Sequence, residues 1–208
     1  MKAKLCGMKT LTAATAAQDA GADFIGFIFY KKSHRYIMPK QAKEIAAKLK
    51  NIKKVGVFVD APLDEVNTIA DMVDLDYIQL HGRENIDYAA KCNRPIIKAF
   101  RYGDGFSYEL ANNFPAEIIL IDAYKEGAAG GTGINFNWQQ ARADIAKVNK
   151  PVLIAGGITR KNLAAVKNIF NPYGVDVSGS LEINKEKSIK KINEFMQRVR
   201  ELNEGYIS

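Results

Sequence analysis

The feature that most constrains this chain is a regular alternation between short apolar runs and amphipathic segments. Most of the runs are continuously apolar and rich in β-branched residues, such as Val55–Val59, which is typical of parallel strands buried on both faces. Eight strands are predicted on this basis, at Lys4–Met8, Asp23–Phe29, Lys54–Asp60, Tyr77–His81, Pro95–Phe100, Glu117–Asp122, Pro151–Ala155 and Gly174–Val177.

The segments between the strands place apolar residues at helical spacing and polar residues on the opposite face. Pro39–Lys50 opens with a proline, which favours the first turn of a helix. Thr159–Phe170 is predicted to be a helix capped by Thr159, and Glu186–Leu202 carries an apolar stripe. For the weaker segment around Ser107–Asn112 we expect a single helical turn.

Eight βα repeats without a linker favour one (βα)8 TIM barrel, an α/β fold, as a single domain over residues 1–208. Such barrels need about 200 to 250 residues, so the chain is long enough. A doubly wound open sheet is the alternative. Sheets of that kind often carry a Gly-x-Gly-x-x-Gly turn after the first strand, whereas the turn here reads Cys6-Gly7-Met8-Lys9-Thr10.

Composition and charge exclude several classes of function. The net charge is +7, but the lysines are scattered and form no basic run interleaved with aromatic residues. We therefore predict no nucleic-acid partner, and interpret the charge as favouring solubility and anionic substrates. No apolar run approaches the roughly 18 residues of a membrane span, and the first residues lack a signal-peptide pattern. No membrane partner and a cytoplasmic location are expected, and the sequence leaves protein partners unknown.

The chain also lacks metal-binding motifs. It has two cysteines and two histidines, and none of them lies in a Cys-x-x-Cys or His-Glu-x-x-His pattern. We therefore predict no metal and no cofactor, although a magnesium site built from carboxylates alone stays open.

Glycines and short hydroxyl residues follow the last two predicted strands. Gly156 and Gly157 come after the seventh strand, and Ser178-Gly179-Ser180 after the eighth. Glycine lets backbone N–H groups approach a phosphate closely, and a helix start favours the anion. These two loops form the usual phosphate site of such barrels. Tight turns are the alternative, but the pair predicts a small phosphorylated substrate.

Several polar residues stand where the other strands end, which is where barrel enzymes carry their chemistry. Cys6 ends the first strand, and from its position alone it could be a small buried hydrophobe. Asp122 ends the sixth strand, where a carboxyl group could cap a loop or act as a general acid. His81 could be a satisfied polar residue at the rim. Arg35 could be a solvated charge or a bidentate clamp for a carboxylate.

Together these segments resemble the phosphoribosylanthranilate isomerase family of the tryptophan pathway. The resemblance runs in order from Lys4 to at least Glu182. It is carried by Lys4-Leu5-Cys6-Gly7, Gly21-Ala22-Asp23-Phe24-Ile25-Gly26-Phe27-Ile28-Phe29, Ser33-His34-Arg35-Tyr36, Val55-Gly56-Val57-Phe58-Val59, Gln79-Leu80-His81-Gly82, Ile97-Lys98-Ala99-Phe100, Gly130-Gly131-Thr132-Gly133, Phe136-Asn137-Trp138, Gly156-Gly157 and Gly174-Val175-Asp176-Val177-Ser178.

The resemblance implies an Amadori rearrangement of N-(5-phosphoribosyl)anthranilate by general acid–base catalysis. It implies that Cys6 is the base and Asp122 the acid. Arg35 would hold the carboxylate of the anthranilate, and Asp176 and His81 would face the substrate. The implied chemistry needs neither a metal nor a redox group.

The chain departs from the family pattern after the eighth strand. The family commonly reads Asp-Val-Ser-Ser-Gly where this chain has Asp176-Val177-Ser178-Gly179-Ser180, so the details of the phosphate contacts are open.

Among sister barrels, the histidine-pathway isomerase has Asp where Cys6 stands. Indole-glycerol-phosphate synthase and pentose-phosphate epimerases need residues that are lacking here. A non-catalytic barrel that senses a phosphorylated metabolite or an RNA is the alternative from another class.

Overall fold

The computed structural model describes residues 1–103, 106–122 and 138–205. Within them, parallel strands close into a barrel in the order β1 to β8, with β8 hydrogen-bonded to β1. The strands are β1 Lys2–Cys6, β2 Phe24–Ile28, β3 Lys53–Phe58, β4 Tyr77–Leu80, β5 Ile96–Arg101, β6 Ile118–Asp122, β7 Val152–Ala155 and β8 Gly174–Val177. The predicted (βα)8 TIM barrel is confirmed, and closure excludes the open sheet.

Helices alternate with the strands and cover the outside of the barrel. They are α1 Leu11–Asp19, α2 Pro39–Ala46, α3 Leu63–Val73, α4 Ile86–Ala89, α5 Tyr108–Asn113, α6 Trp138–Ile145, α7 Leu163–Phe170 and α8 Ile189–Asn203. No helix in the described ranges is long and apolar enough to cross a membrane. The glycine-rich segment 127–133 lies outside the described residues.

Two predicted helix boundaries are wrong, because side chains take up backbone N–H groups near the ends of these helices. α2 ends at Ala46, and the N–H of Lys50 donates to the side chain of Gln18 instead of continuing the helix. Thr159 does not cap α7, which begins only at Leu163. The hydroxyl of Thr159 accepts from the N–H of Asn162, and the side chain of Asn162 accepts from the N–H of Thr159, which closes a turn before the helix.

The last helix also starts later than predicted, and the predicted single turn is longer. Glu182–Lys187 forms a β-hairpin, β9 and β10, whose turn places Asn184 and Lys185 at positive φ, as a two-residue hairpin turn requires. Ser188 then caps α8. α5 has six residues rather than one turn, and the side chain of Ser107 accepts from the N–H of Leu110 at its start.

Alternation along the strands separates an inner core from an outer one. Phe24, Val55, Ile97, Ala99, Ile118, Leu120, Leu153 and Ala155 form one buried cluster. Their neighbours in sequence, such as Ile25, Ile96 and Ile119, belong to a second cluster that also includes helix residues. The first cluster therefore fills the barrel, and the second joins barrel to helices.

Candidate active site

Strand alternation turns the predicted site residues toward the inside of the barrel. Asp122 continues the inward series of Ile118 and Leu120 on β6. On β1 the inward positions include Lys4 and Cys6, because Leu5 between them packs in the outer core. These side chains therefore meet at the carboxyl-terminal mouth, where barrels of this type carry their active sites.

Cys6 lies buried where β1 meets β2. The ladder pairs it with Gly26, and a Cβ atom built on Gly26 would lie 2.7 Å from Cys6 Sγ and 3.2 Å from Lys4 Nζ. Only glycine leaves room for the thiol and the ammonium group side by side. Burial raises the pKa of the Cys6 thiol, and the positive charge of Lys4 opposes this rise. At rest Cys6 is therefore a protonated thiol.

Lys4 and Asp176 form an ion pair inside the barrel. They are directly paired in the β1–β8 ladder, and Lys4 Nζ lies 2.7 Å from Asp176 Oδ1. The lysine side chain is fully buried, whereas that of Asp176 is 11% exposed at the mouth. Burial alone would lower the pKa of Lys4, but Asp176 and Cys6 outweigh it and raise that pKa. Lys4 therefore remains a cation beside the thiol.

Asp122 faces His81 across the mouth. His81 Nε2 is 3.6 Å from Asp122 Oδ2, and His81 Nδ1 is 2.9 Å from the buried Gln79 Nε2. An imidazole that accepts from an amide at Nδ1 carries its proton on Nε2, a tautomer that follows from the hydrogen-bond network. The geometry thus directs a ring N–H of His81 toward Asp122.

Arg35 binds a carboxylate of the protein itself. Its Nε and Nη2 donate to the two oxygens of Glu182, at 2.6 and 3.0 Å, and Lys187 Nζ donates to Glu182 Oε1 at 2.7 Å. Burial alone would raise the pKa of Glu182, but hydrogen bonds from Arg35 and Lys187 lower it to about 2. Glu182 is therefore ionised at neutral pH and holds two donor atoms of the guanidinium group.

The two predicted phosphate loops are joined to each other. Gly156 and Gly157 have φ of 84° and 70°, a region that favours glycine. Ser180 Oγ donates to the carbonyl of Ile158 at 2.7 Å, and Ser178 Oγ donates to the carbonyl of Cys6 at 3.0 Å. Both hydroxyl protons are thus engaged by carbonyl groups. A phosphate in these loops would depend on backbone N–H groups rather than on serine hydroxyl protons.

Three charged residues of this network, Lys4, Glu182 and Lys187, were not predicted as site residues. Lys4 could have been found, because it is a charge within an apolar strand at the same alternation as Cys6. Glu182 and Lys187 lie on the β9–β10 hairpin, which gave no recognisable pattern. Within residues 1–103, 106–122 and 138–205, no group of three or more His, Cys, Asp or Glu side chains is arranged to hold a metal ion.

The family model and the curated relatives of this chain carry the same family name. The family model for N-(5'-phosphoribosyl)anthranilate isomerase matches residues 3–198. The N-(5'-phosphoribosyl)anthranilate isomerase of Geotalea daltonii is 43% identical over 202 residues, which cover 96% of this chain and 97% of that protein.

Solved structures agree with this assignment. The phosphoribosyl anthranilate isomerase of Thermus thermophilus is 32% identical with a TM-score of 0.85, over 97% of this chain and all of that one. Another phosphoribosyl anthranilate isomerase, 29% identical with a TM-score of 0.84 over 96% of this chain and 98% of that one, was solved in complex with reduced 1-(o-carboxyphenylamino)-1-deoxyribulose 5-phosphate. The chain therefore belongs to the N-(5'-phosphoribosyl)anthranilate isomerase family, the isomerases of tryptophan biosynthesis.

Proposed function

We propose that this enzyme converts N-(5-phosphoribosyl)anthranilate into 1-(2-carboxyphenylamino)-1-deoxyribulose 5-phosphate by an Amadori rearrangement. The observation that carries the proposal is the convergence of Cys6 and Asp122 on one barrel mouth, inside a chain of this family. The complex of a relative with a reduced analogue of that product supports the same ligand class.

The reaction needs an acid and a base that act in sequence. In the proposal, Asp122 protonates the ring oxygen of the ribose, so that the furanose opens to a Schiff base. Cys6 then removes the proton from C2, which gives an enolamine that tautomerises to the ketone. The N–H of His81 directed at Asp122 supports this assignment, because it can hold the carboxyl group in place as its charge changes.

The base must lose its own proton before it can act. The resting thiol of Cys6 is protonated because burial raises its pKa. A thiolate formed beside Lys4 would be stabilised by the neighbouring ammonium group, as reactive cysteines generally require. We therefore propose that the thiolate forms in the substrate complex, with the thiol proton passing to solvent at the mouth of the barrel.

The remaining site residues are proposed to bind the substrate. Gly156, Gly157 and the segment Ser178-Gly179-Ser180 hold the phosphate through backbone N–H groups, which positive φ at the glycines supports. Asp176 faces the mouth beside them. Arg35 holds the carboxylate through Nη1, which makes no hydrogen bond with the described residues.

The direct test is turnover. Purified protein mixed with N-(5-phosphoribosyl)anthranilate should remove its fluorescence as the product forms, and Cys6→Ala should remove this activity. Fluorescence that decays only at the uncatalysed rate with the wild-type protein would leave a non-catalytic phosphometabolite binder as the better description. We also propose a cytosolic location, supported by two free cysteines, which are typical of a reducing compartment.

A further inference from the structure

Lys4 has a position that its ion pair alone does not explain. A buried lysine needs an anion, and Asp176 supplies one at 2.7 Å. The ammonium group is nevertheless held against the thiol as well, because Lys4 Nζ and Cys6 Sγ both border the space that Gly26 leaves empty. One fully buried cation is thus shared between a carboxylate and a thiol.

The charges around Cys6 oppose each other. Lys4 on β1 and Lys187 on β10 favour a thiolate, whereas burial and Asp176 on β8 disfavour it. On β2 the residue paired with Cys6 is the uncharged Gly26. Lys187 donates to Glu182, which also accepts from Arg35. The positive charge of Lys187 is therefore largely neutralised by Glu182. Lys4 is therefore the cation best placed to act on the thiol.

We propose that Lys4 is a positioning residue whose ammonium group, shared between Asp176 and Cys6, sets how readily the thiol becomes a base. This inference rests on the proposed function, in which Cys6 removes the C2 proton. Asp176 binds the same ammonium group and places a negative charge near the sulfur. Removing the charge of Lys4 and removing that of Asp176 should therefore shift the titration of Cys6 in opposite directions.

The experiment is a titration of the thiolate by ultraviolet absorbance in the substrate-free protein. Cys92→Ala removes the only other cysteine, and subtraction of Cys6→Ala/Cys92→Ala removes the tyrosine signal. In this background, Lys4→Met should raise the titration midpoint of Cys6 by about one pH unit or more. Asp176→Asn, which keeps the shape and hydrogen bond, should lower it. The acidic limb of the kcat profile, which reports groups of the substrate complex, should move in the same direction in Lys4→Met.

The chain offers a matched control in Lys98, a second buried lysine paired with a carboxylate at 2.8 Å. Lys98→Met likewise removes a buried cation from its carboxylate partner, but away from Cys6. It should leave the titration midpoint of Cys6 unchanged. An unchanged midpoint in Lys4→Met, an equal rise in Lys98→Met, or a rise in Asp176→Asn overturns the proposal. If Lys4→Met does not fold, Asp176→Asn decides alone. Because the titration uses no substrate, its failure is distinguishable from failure of the turnover assay.

Discussion

Two lysine–carboxylate pairs in this barrel are alike in length, and both lysines are buried, but the exposure of the carboxylates and their surroundings differ. Lys98 lies in the outer layer, where Glu84 also accepts from the N–H groups of Asp60 and Gly82, and Lys98 donates to the carbonyl of Gly82. Both the ammonium group and the carboxylate of this pair are therefore held by additional hydrogen bonds. Lys4 lies inside the barrel, and its partner Asp176 is partly exposed at the mouth.

The two pairs differ in how completely hydrogen bonds from the surrounding chain hold them. A buried pair stabilises a fold only when its remaining hydrogen bonds are satisfied. The Lys98–Glu84 pair meets that condition and anchors the loop after β4. The Lys4–Asp176 pair instead lies beside the thiol of Cys6, and Asp176 is partly exposed at the mouth, as the proposed role in the active site requires.

The largest effect on activity is expected at Cys6, which lies beside Lys4. Cys6→Ala should lower kcat by about 10²- to 10⁴-fold, because it removes a positioned base. Binding of a reduced product analogue, measured by calorimetry, should persist. Cys92→Ala is the control and should keep near-normal activity, since Cys92 lies on the outside and donates to the carbonyl of Tyr88. Wild-type turnover in Cys6→Ala would contradict the assignment of the base.

Asp122→Asn tests the opposite side of the same mouth. The amide keeps the shape of the carboxyl group but cannot deliver its proton, so kcat should fall by about 10²-fold or more while binding is largely kept. Steady-state kinetics separate the two parameters. A substrate analogue that is already ring-opened should lose much less. If only KM rises, Asp122 orients the substrate and the acid is another group.

Glu84→Gln and Asp176→Asn compare the two pairs directly through stability. Glu84→Gln leaves Lys98 buried without its counter-ion and should cost about 3 to 5 kcal/mol of unfolding free energy. Asp176→Asn should cost less, because its side chain is 11% exposed whereas that of Glu84 is 2% exposed. Urea denaturation measures both. Equal losses of unfolding free energy, or a larger loss in Asp176→Asn, would contradict the assignment of Lys98–Glu84 as the pair that mainly stabilises the fold.

Arg35→Lys asks whether the arginine serves the substrate in addition to Glu182. Lysine cannot copy the planar fork, so affinity for a product analogue should fall by about tenfold, near 1.4 kcal/mol. An analogue without the carboxylate should bind equally well to both proteins in calorimetry. Equal losses for the two ligands would mean that Arg35 acts only through Glu182 and the hairpin.

The smallest effect is expected from an exchange of Gly179 and Ser180 to the family order. Backbone N–H groups survive the exchange, so inhibition by inorganic phosphate should change by no more than about tenfold. The exchange removes the hydrogen bond from Ser180 to Ile158 and places a Cβ 3.3 Å from Arg35 Nη2, which explains a modest loss. Gly157→Asp should be far worse, because it puts an anion where the phosphate is proposed. Phosphate inhibition unaffected by Gly157→Asp would refute the proposed location.

Sequence patterns predicted the barrel because its strands are continuous apolar runs, whereas the assignment of Cys6 and Asp122 as base and acid came from the resemblance to the isomerase family. Neither identified Lys4 as a site residue, although strand alternation places Lys4 with Cys6 and places Lys98 in the outer layer. The bond between Arg35 and Glu182 joins residues 147 positions apart and depends on a hairpin without a sequence signature. Helix ends such as Thr159 were misjudged because side chains compete for the same N–H groups.

The ladder between β1 and β8 has a consequence for how the chain is made. Lys4 and Asp176, and likewise Cys6 and Ser178, are 172 positions apart and meet only when the last strand docks. Synthesis produces β1 first, and contacts so distant in sequence are slow to form. On a growing chain Cys6 is therefore an ordinary, accessible thiol for most of the time of translation. The docking of β8 covers that thiol. The rate at which Cys6 becomes protected from alkylating reagents should therefore report the rate of the last step of folding.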